Sequence, residues 1–449
     1  MEKRDFLISV ALGVGASLLS GPLRAFGTKE TKETLRTAHV GVGNMGFEDL
    51  KAIAAHPNVV VTALCDVDSN YLKKAKALFP KAKIFKDYRQ MFGAISNEID
   101  AVIVSTPDHT HAPVSLLAME NNKAVYCQKP LTHYVSESRE LRQLAKQKGL
   151  ITQMGIQVHS FYDYQLATLM IRKGAIGKVR KVIAWSNKNW GYDGPLPQGK
   201  DPIPETLDWN LWLGTSVEKP YKEGLYHPGN WRKLMDYGCA TLGDMGVHIF
   251  DTPYNALALD LPKTITNNCR TPNGFGYPER NAVHYTFEGT PYTTADFEWQ
   301  WYDGVAGPKI SPELILPKED ELPGQGAMFI GENGDRLLLP HFMQLPKLIA
   351  NGKYKDYDPA VYDPQNTLGP PVRDYKNESL KHYHQFINSC LGKATCSAPF
   401  EYASRLTETI LLGVIAGRFP NTTLQYDKNV AAFVLQEANT YLKGAYRKF

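Results

Sequence analysis

The sequence predicts an α/β protein in two parts: a doubly wound parallel sheet, then an α/β region built on a large open antiparallel sheet. Three observations carry this. A glycine hexad, Gly41-Val42-Gly43-Asn44-Met45-Gly46, lies between an apolar run and a helical pattern. Apolar strands alternate with amphipathic helices as far as residue 156, and beyond it strands recur without helices between them. A chain of 449 residues exceeds the size at which one core keeps growing. Two domains are therefore expected, at 34–156 and 157–449, after a leader at 1–27.

The leader opens with Lys3 and Arg4, and Leu7 to Leu19 form an apolar stretch too short to span a bilayer. Ala25-Phe26-Gly27 resembles a small-x-small cleavage site. This order predicts export to the periplasm by a twin-arginine-like or general secretory signal. Lys3-Arg4-Asp5-Phe6-Leu7 looks like a twin-arginine motif with lysine in the first place. There is no cysteine near the cleavage site and no apolar stretch of about 18–20 residues, so no stable membrane anchor is expected.

The first domain starts with a strand, Ala38–Val42, then the hexad, then apolar residues at helical spacing to Ala55. Strand, G-x-G-x-x-G, helix is a dinucleotide-binding context, that of a Rossmann domain. Gly41 permits the tight turn, Gly43 lets backbone approach a pyrophosphate, and Gly46 lets helix pack on strand. The helix N-terminus offers free N–H groups to the phosphates. The next strand, Val59–Cys65, ends on Asp66, twenty residues past Gly46. An acid there accepts the adenosine ribose hydroxyls and repels a 2′-phosphate. Val67-Asp68-Ser69-Asn70 brings no Lys or Arg to rescue NADP, so NAD is expected. Strands follow at Lys83–Phe85, Ile99–Thr106, Lys123–Cys127 and Ile151–Ile156. Helices separate them at Tyr71–Phe79, Met91–Ser96, Ala112–Asn121 and Ser136–Lys148. Ligands of such sheets bind beyond the carboxyl ends of the strands, which singles out Gly41–Gly46, Asp66, Thr106–His111 and Gln128-Lys129-Pro130.

Composition is that of an ordinary globular chain, 43% hydrophobic and 21% charged, with a formal charge of +4. No basic stripe or Arg-rich helix is present, which argues against nucleic acid as a partner. The six cysteines form no C-x-x-C and sit in no cluster of His at zinc spacing, so no metal site is expected. Cys65 and Cys127 lie at strand ends and read as buried thiols; Cys390 and Cys396 could pair in an exported protein.

In order, the hexad, Ser105-Thr106-Pro107-Asp108-His109-Thr110-His111-Ala112, Cys127-Gln128-Lys129-Pro130-Leu131 and Leu242-Gly243-Asp244-Met245-Gly246-Val247-His248 resemble the glucose–fructose oxidoreductase / inositol dehydrogenase (Gfo/Idh/MocA) family. The resemblance implies an NAD- or NADP-dependent enzyme acting on a sugar or polyol. It also implies a second domain whose sheet supports the substrate and the contacts of a homo-oligomer. It points to Thr106, Pro107, His111, Gln128 and Lys129 beside the cofactor, and to Lys129, Asp244 and His248 as catalytic. The chemistry can be argued separately. Lys129, just past a strand end, would stabilise the alkoxide formed as hydride leaves. Asp244 and His248 stand at i, i+4, on one face if helical. His titrates near neutrality and can act as general base, with Asp244 orienting it or touching the substrate. In isolation the same pair reads as a surface helix contact. The family commonly has Glu before Lys-Pro; Gln128 brings no negative charge beside Lys129.

The second domain shows strands at Lys178–Lys188, Asn281–Glu288, Tyr292–Trp301, Ala327–Ile330 and Arg336–Leu339. Asn333-Gly334 reads as a hairpin turn with positive φ at both positions. Residues 189–232 read as loops, and five of the seven tryptophans fall between Trp185 and Trp231. Such rings either stack on sugar faces or pack the loops down. Trp231-Arg232 is the leading substrate contact, followed by Gln157 and His159. Helices at Leu380–Leu391 and Glu401–Arg418 are expected on the sheet or back on the first domain.

Three functions compete. The first is an NAD-dependent dehydrogenase of a sugar, polyol or glycoside. The second is a redox-neutral hydrolase, lyase or epimerase with resident NAD. A branch of related proteins cleaves glycosides that way, but its Tyr-containing signature around the catalytic His does not appear at Asp244–His248. The third is a non-catalytic sugar-binding protein.

Overall fold

The computed structural model describes residues 33–304 and 311–449, so the leader expected at 1–27 lies outside the described residues. The first sheet holds β1 (Leu35–Val40), β2 (Val59–Cys65), β3 (Lys83–Phe85), β4 (Ala101–Val104), β5 (Ala124–Gln128) and β6 (Thr152–Gly155). Its order is 3-2-1-4-5-6, and every pair is parallel. Helices α1 (Asn44–Ala54), α2 (Ser69–Leu78), α3 (Tyr88–Ile95), α4 (Asp108–Glu120) and α5 (Val135–Lys148) cross between the strands. Asp68 and Asp87 cap α2 and α3 by accepting from the N–H of Asn70 and Arg89, contacts worth about 1 kcal/mol each. The strand order reverses between β1 and β4, which opens a crevice at their carboxyl ends.

Several boundaries differ from expectation, and two of them have clear local reasons. Strand β1 stops at Val40 rather than Val42, because Gly41 turns the chain at φ +83°. Helix α4 starts at Asp108, four residues before the apolar periodicity begins. Pro107 sits at its N-cap, and Asp108 adds an acid to its first turn, where the dipole favours it.

The second sheet comprises β7 (Val179–Ser186), β8 (Thr264–Asn268), β9 (Asn281–Thr286), β10 (Thr293–Asp303), β11 (Gln325–Gly331), β12 (Arg336–Pro340), β13 (Lys347–Ala350), β14 (Lys353–Lys355), β15 (Thr423–Asp427) and β16 (Ala432–Phe433). Its order is 14-13-12-11-7-10-9-8-15-16. All neighbours are antiparallel except β7 and β10, which run parallel, so the sheet is mixed rather than purely antiparallel. The turn between β11 and β12 also departs from expectation. Only Gly334 has positive φ, while Asn333 accepts from the Asp335 N–H at 3.0 Å and closes the loop with its side chain.

Four longer helices follow in the rest of the described chain: α6 (Tyr162–Arg172), α7 (Val247–Ala256), α8 (Tyr375–Cys390) and α9 (Phe400–Ala416). Helix α7 lies on the second sheet, with Phe250 stacked on Trp299 at 4.2 Å between ring centroids. Helix α8 returns to the first sheet, where Tyr383, Phe386 and Ile387 share one buried cluster with Leu35, Ile103 and Tyr126. Helix α9 packs on α5 through Arg139, whose Nε donates to the fully buried Glu408 at 2.8 Å. None of the six cysteines forms a disulfide, Cys390 and Cys396 included.

The loops between β7 and α7 have a small core of their own, in which Trp209, Trp212, Tyr226, Trp231 and Tyr237 are buried together. Most of the concentrated aromatic surface is spent there, on packing. This strap is tied to the loop after β2. The Ser69 N–H donates to the Thr206 carbonyl at 2.9 Å, the Asp208 N–H to Val67 at 3.0 Å, and His227 Nε2 lies 3.1 Å from Asp68 Oδ2.

Candidate active site

A single cleft of about 340 Å³ runs from the glycine loop and Asp66 to Asp244 and His248. At the nucleotide end, a Cβ on Gly41 would lie 2.5 Å from the Ser105 carbonyl oxygen, and one on Gly46 2.2 Å from that of Gly41. Both positions exclude any side chain. A Cβ on Gly43 would lie 2.4 Å from the Tyr71 ring, so this position is closed to a side chain as well. Asn44, with φ +44°, and Met45 carry the loop into α1, whose N-terminus has no side-chain cap. Asp66 Oδ2 accepts from the Val42 N–H at 2.8 Å and Oδ1 from the Asp68 N–H at 2.9 Å. Burial pushes its carboxyl up to about 6 against those two donors. Thr106 Oγ1, also on the cleft, is buried without a partner. Uncapped helix N–H groups, a carboxylate with lone pairs to spare and an orphan hydroxyl fit a dinucleotide along this wall.

Pro107 N-caps α4, and His111 in the first turn spans two strand ends. Its Nδ1 lies 2.8 Å from the Pro130 carbonyl and its Nε2 2.9 Å from that of Thr106. Burial lowers its pKa to about 4. Gln128, expected beside the cofactor, is held inward. Its Nε2 donates to both oxygens of Asp49 at 3.0 Å, and its Oε1 accepts from the Lys129 N–H at 3.3 Å. Asp49 is fully buried and also accepts from Ser105 Oγ and the Tyr383 hydroxyl, each at 2.6 Å. Desolvation pushes it up to about 6, against those donors.

At the other end, Lys129 Nζ donates to Asp244 Oδ1 and to the Asp244 carbonyl, both at 2.8 Å. The negative neighbour that Gln128 does not supply therefore comes from α7's approach. Trp190 Nε1 donates to Asp244 Oδ2 at 2.6 Å, and Arg232 Nε lies 3.4 Å from Oδ1. Burial opposes charge on Asp244, yet Lys129 and Arg232 outweigh it and hold the carboxyl well below its usual range. Asp244 lies on a π-helical turn, Leu242–Gly246, ahead of α7. Asp244 makes no hydrogen bond to His248, so the expected orienting contact is replaced by the one to Lys129. His248 Nδ1 is buried without a partner. The expectation that His248 titrates near neutrality is also corrected: burial, then the charge of Lys129, pushes it well down, so the imidazole is neutral.

Of the four expected substrate contacts, Gln157, Trp231 and Arg232 line the cleft. Gln157 Nε2 donates to the Tyr383 hydroxyl at 2.7 Å, and the Arg232 guanidinium lies over the Trp231 ring at 4.3 Å. His159 does not reach the cleft. Its Nδ1 lies 2.9 Å from Asp251 Oδ1, which also accepts from the Tyr402 hydroxyl at 2.7 Å, in a separate cavity between α6 and α7.

Residues 35–156 match the family described as "Oxidoreductase family, NAD-binding Rossmann fold", and 170–273 match "Oxidoreductase family, C-terminal alpha/beta domain", both of the Gfo/Idh/MocA group. The chain belongs to the Gfo/Idh/MocA oxidoreductases. It is an enzyme of that family, and NAD is its cofactor. The chain is 27% identical over 419 residues to "Glycosyl hydrolase family 109 protein 1" of Shewanella sp. (strain ANA-3), covering 81% of this chain and 87% of that one. An uncharacterized oxidoreductase of Schizosaccharomyces pombe is 24% identical over 221 residues, 48% of this chain and only 50% of its own length. Levoglucosan dehydrogenase, solved with NADH and levoglucosan, shares the fold at TM-score 0.61 and 15% identity, over 87% of this chain and 99% of that one.

Seen as a family member, the chain has site residues that sequence reasoning passed over. Asp108 is buried on the cleft, and desolvation pushes it up to about 7 against the charges of Arg232 and Lys129. It stands inside the motif already singled out, so its position was in view. Asp49, Trp190, Lys188 and His341 had no such signal: Trp190 meets Asp244 across 54 residues, and Tyr383 meets Asp49 across 334.

Proposed function

We propose that the protein transfers a hydride at a secondary alcohol of a sugar, polyol or glycoside. One observation carries the reading: the nucleotide wall and the Lys129–Asp244–His248 group line the same cleft. NAD, when bound, supplies the hydride acceptor or donor. The chain's own residues handle the proton and the charge. Neutral His248 accepts the hydroxyl proton, and the Lys129 ammonium stabilises the alkoxide oxygen. Asp244 acts through Lys129: held ionised, it fixes the ammonium in place. Trp231 and Arg232 form the sugar wall. Adding sugars to the purified protein and following the reduced-nicotinamide band tests this. Lasting, stoichiometric reduction with a keto-sugar product is expected; no change with any sugar, polyol or glycoside would leave a binding protein.

A second reading has its own support. In a redox-neutral reaction the hydride removed from a sugar carbon acidifies its neighbour, permits elimination or epimerisation, and returns to the same molecule. The strap tied to Asp68 and Ser69 beside Asp66 favours a cofactor that stays bound, and the Shewanella relative is named a glycosyl hydrolase. Export of the folded, cofactor-loaded protein through the leader at 1–27 belongs to this reading. Glycoside cleavage without net change in the nicotinamide band selects it.

A further inference from the structure

Resting on the hydride-transfer reading, we propose that the sugar carries a carboxylate, as a hexuronate does, seated between Arg232 and Lys188. The charges at the substrate end of the cleft do not balance. Three cations line it: Lys129, Lys188 and Arg232. One carboxylate, Asp244, is firmly ionised there, and both its oxygens are taken, Oδ1 by Lys129 at 2.8 Å and Oδ2 by Trp190 at 2.6 Å. Asp108, the other acid, is buried and pushed up to about 7, so near neutrality it supplies only part of a charge. His248 and His341 are both lowered by burial and add nothing of either sign.

The unbalanced cations are placed to receive an anion. Arg232 approaches Asp244 with Nε at 3.4 Å from Oδ1, and its guanidinium donates no hydrogen bond among the described residues. The guanidinium is already oriented, 4.3 Å from the Trp231 ring and 5.7 Å from Trp190. A planar fork of this kind pairs with a carboxylate through two parallel hydrogen bonds. The Lys188 ammonium has no partner among the described residues either, and its charge bears on Asp244, His248 and His341. The dinucleotide phosphates belong at the glycine loop, the opposite end of the cleft, and leave this surplus in place. A neutral sugar would meet the surplus with hydroxyl dipoles alone; a carboxylate exchanges them for charge-assisted bonds in a partly dry site.

The test is calorimetry on NAD-loaded protein with two matched pairs, methyl β-D-glucuronide against methyl β-D-glucoside and methyl α-D-galacturonide against methyl α-D-galactoside. The nicotinamide band is followed in parallel. In at least one pair the uronate should bind about tenfold more tightly, one charge-assisted contact's worth. That preference should shrink as ionic strength rises from about 0.01 to 1 M. Lys188 is exposed, so Lys188→Glu should fold normally and invert the preference. Equal or better binding of the neutral partner in both pairs, binding of no member, or a preference that survives Lys188→Glu would overturn the proposal. Selective uronate binding without nicotinamide reduction would sink hydride transfer and leave this inference standing. Reduction by neutral sugars alone would do the reverse.

Discussion

Asp66 and Asp244 stand at opposite ends of one cleft, both half-buried, and their titration is displaced in opposite directions. Asp66 meets two backbone N–H groups and no cation in contact, so burial wins and the carboxyl rises to about 6. Asp244 meets Lys129, Arg232 and Trp190, and the cations win. Burial alone does not set the charge of a buried acid; the nearest full charges decide. The nucleotide end is thus built from backbone and dipoles, with one acid free to answer a ribose. The substrate end is built from full charges already locked together.

The contrast makes its largest claim about turnover. His248→Ala should cut kcat by about 10²–10⁴ while NAD affinity, measured by calorimetry, stays put. Full activity in that variant would refute the assignment. Lys129→Ala should cost about 10²–10³. Because Lys129 and Asp244 touch whereas Asp244 and His248 do not bond, the Lys129→Ala/Asp244→Ala double variant should be no slower than the worse single one. Additive losses would separate the pair.

At the nucleotide end the expected effects are smaller and fall on binding. NAD should be preferred over NADP by about a hundredfold, since an ionised Asp66 meets a 2′-phosphate with like charge. Asp66→Asn should shrink that ratio, and equal affinities in the unaltered protein would remove Asp66 from the argument. The pH dependence has a definite sign. The ionised carboxylate is the form that accepts ribose hydroxyls, so NAD affinity should fall as pH drops through about 6. In Asp66→Asn that limb should vanish. The smallest effect belongs to the strap. His227→Ala removes one contact to Asp68, worth about 0.5–1.5 kcal/mol, so NAD dissociation in stopped flow should quicken by no more than about tenfold.

The two ends also differ in how far the sequence displayed them. The nucleotide wall comes from short contiguous stretches after strand ends, so Gly41, Asp66, Thr106 and His111 could each be placed from local pattern. Even there, the Tyr71 ring over Gly43 and the Asp49–Gln128 contact depend on packing between helices and strands that pattern does not encode. The substrate end joins residues from widely separated stretches. Asp244 and His248 were legible as a spacing, but which partner Asp244 takes is decided by where Lys129 and Trp190 arrive. His159 shows the reverse failure: it follows β6 closely, yet Asp251 and Tyr402 draw it into another cavity. In the second sheet the long apolar strands were evident, while β8 and β13–β16, short or polar, gave no period to read. The parallel pairing of β7 with β10 was invisible, since strand direction is set by connections elsewhere.

The return of α8 to the first sheet bears on how a ribosome makes this protein. Leu35 emerges at the start of the described chain, and its cover, Phe386 with Ile387, is translated some 350 residues later. At about 5–20 residues per second, that interval lasts on the order of tens of seconds. From the synthesis of Tyr126 until then, Leu35, Ile103 and Tyr126 present an apolar face that α8 does not yet cover, the kind of surface that chaperones hold and aggregation exploits. Synthesis rate and chaperone supply, rather than the stability of the finished fold, should therefore govern how much of this protein a cell recovers.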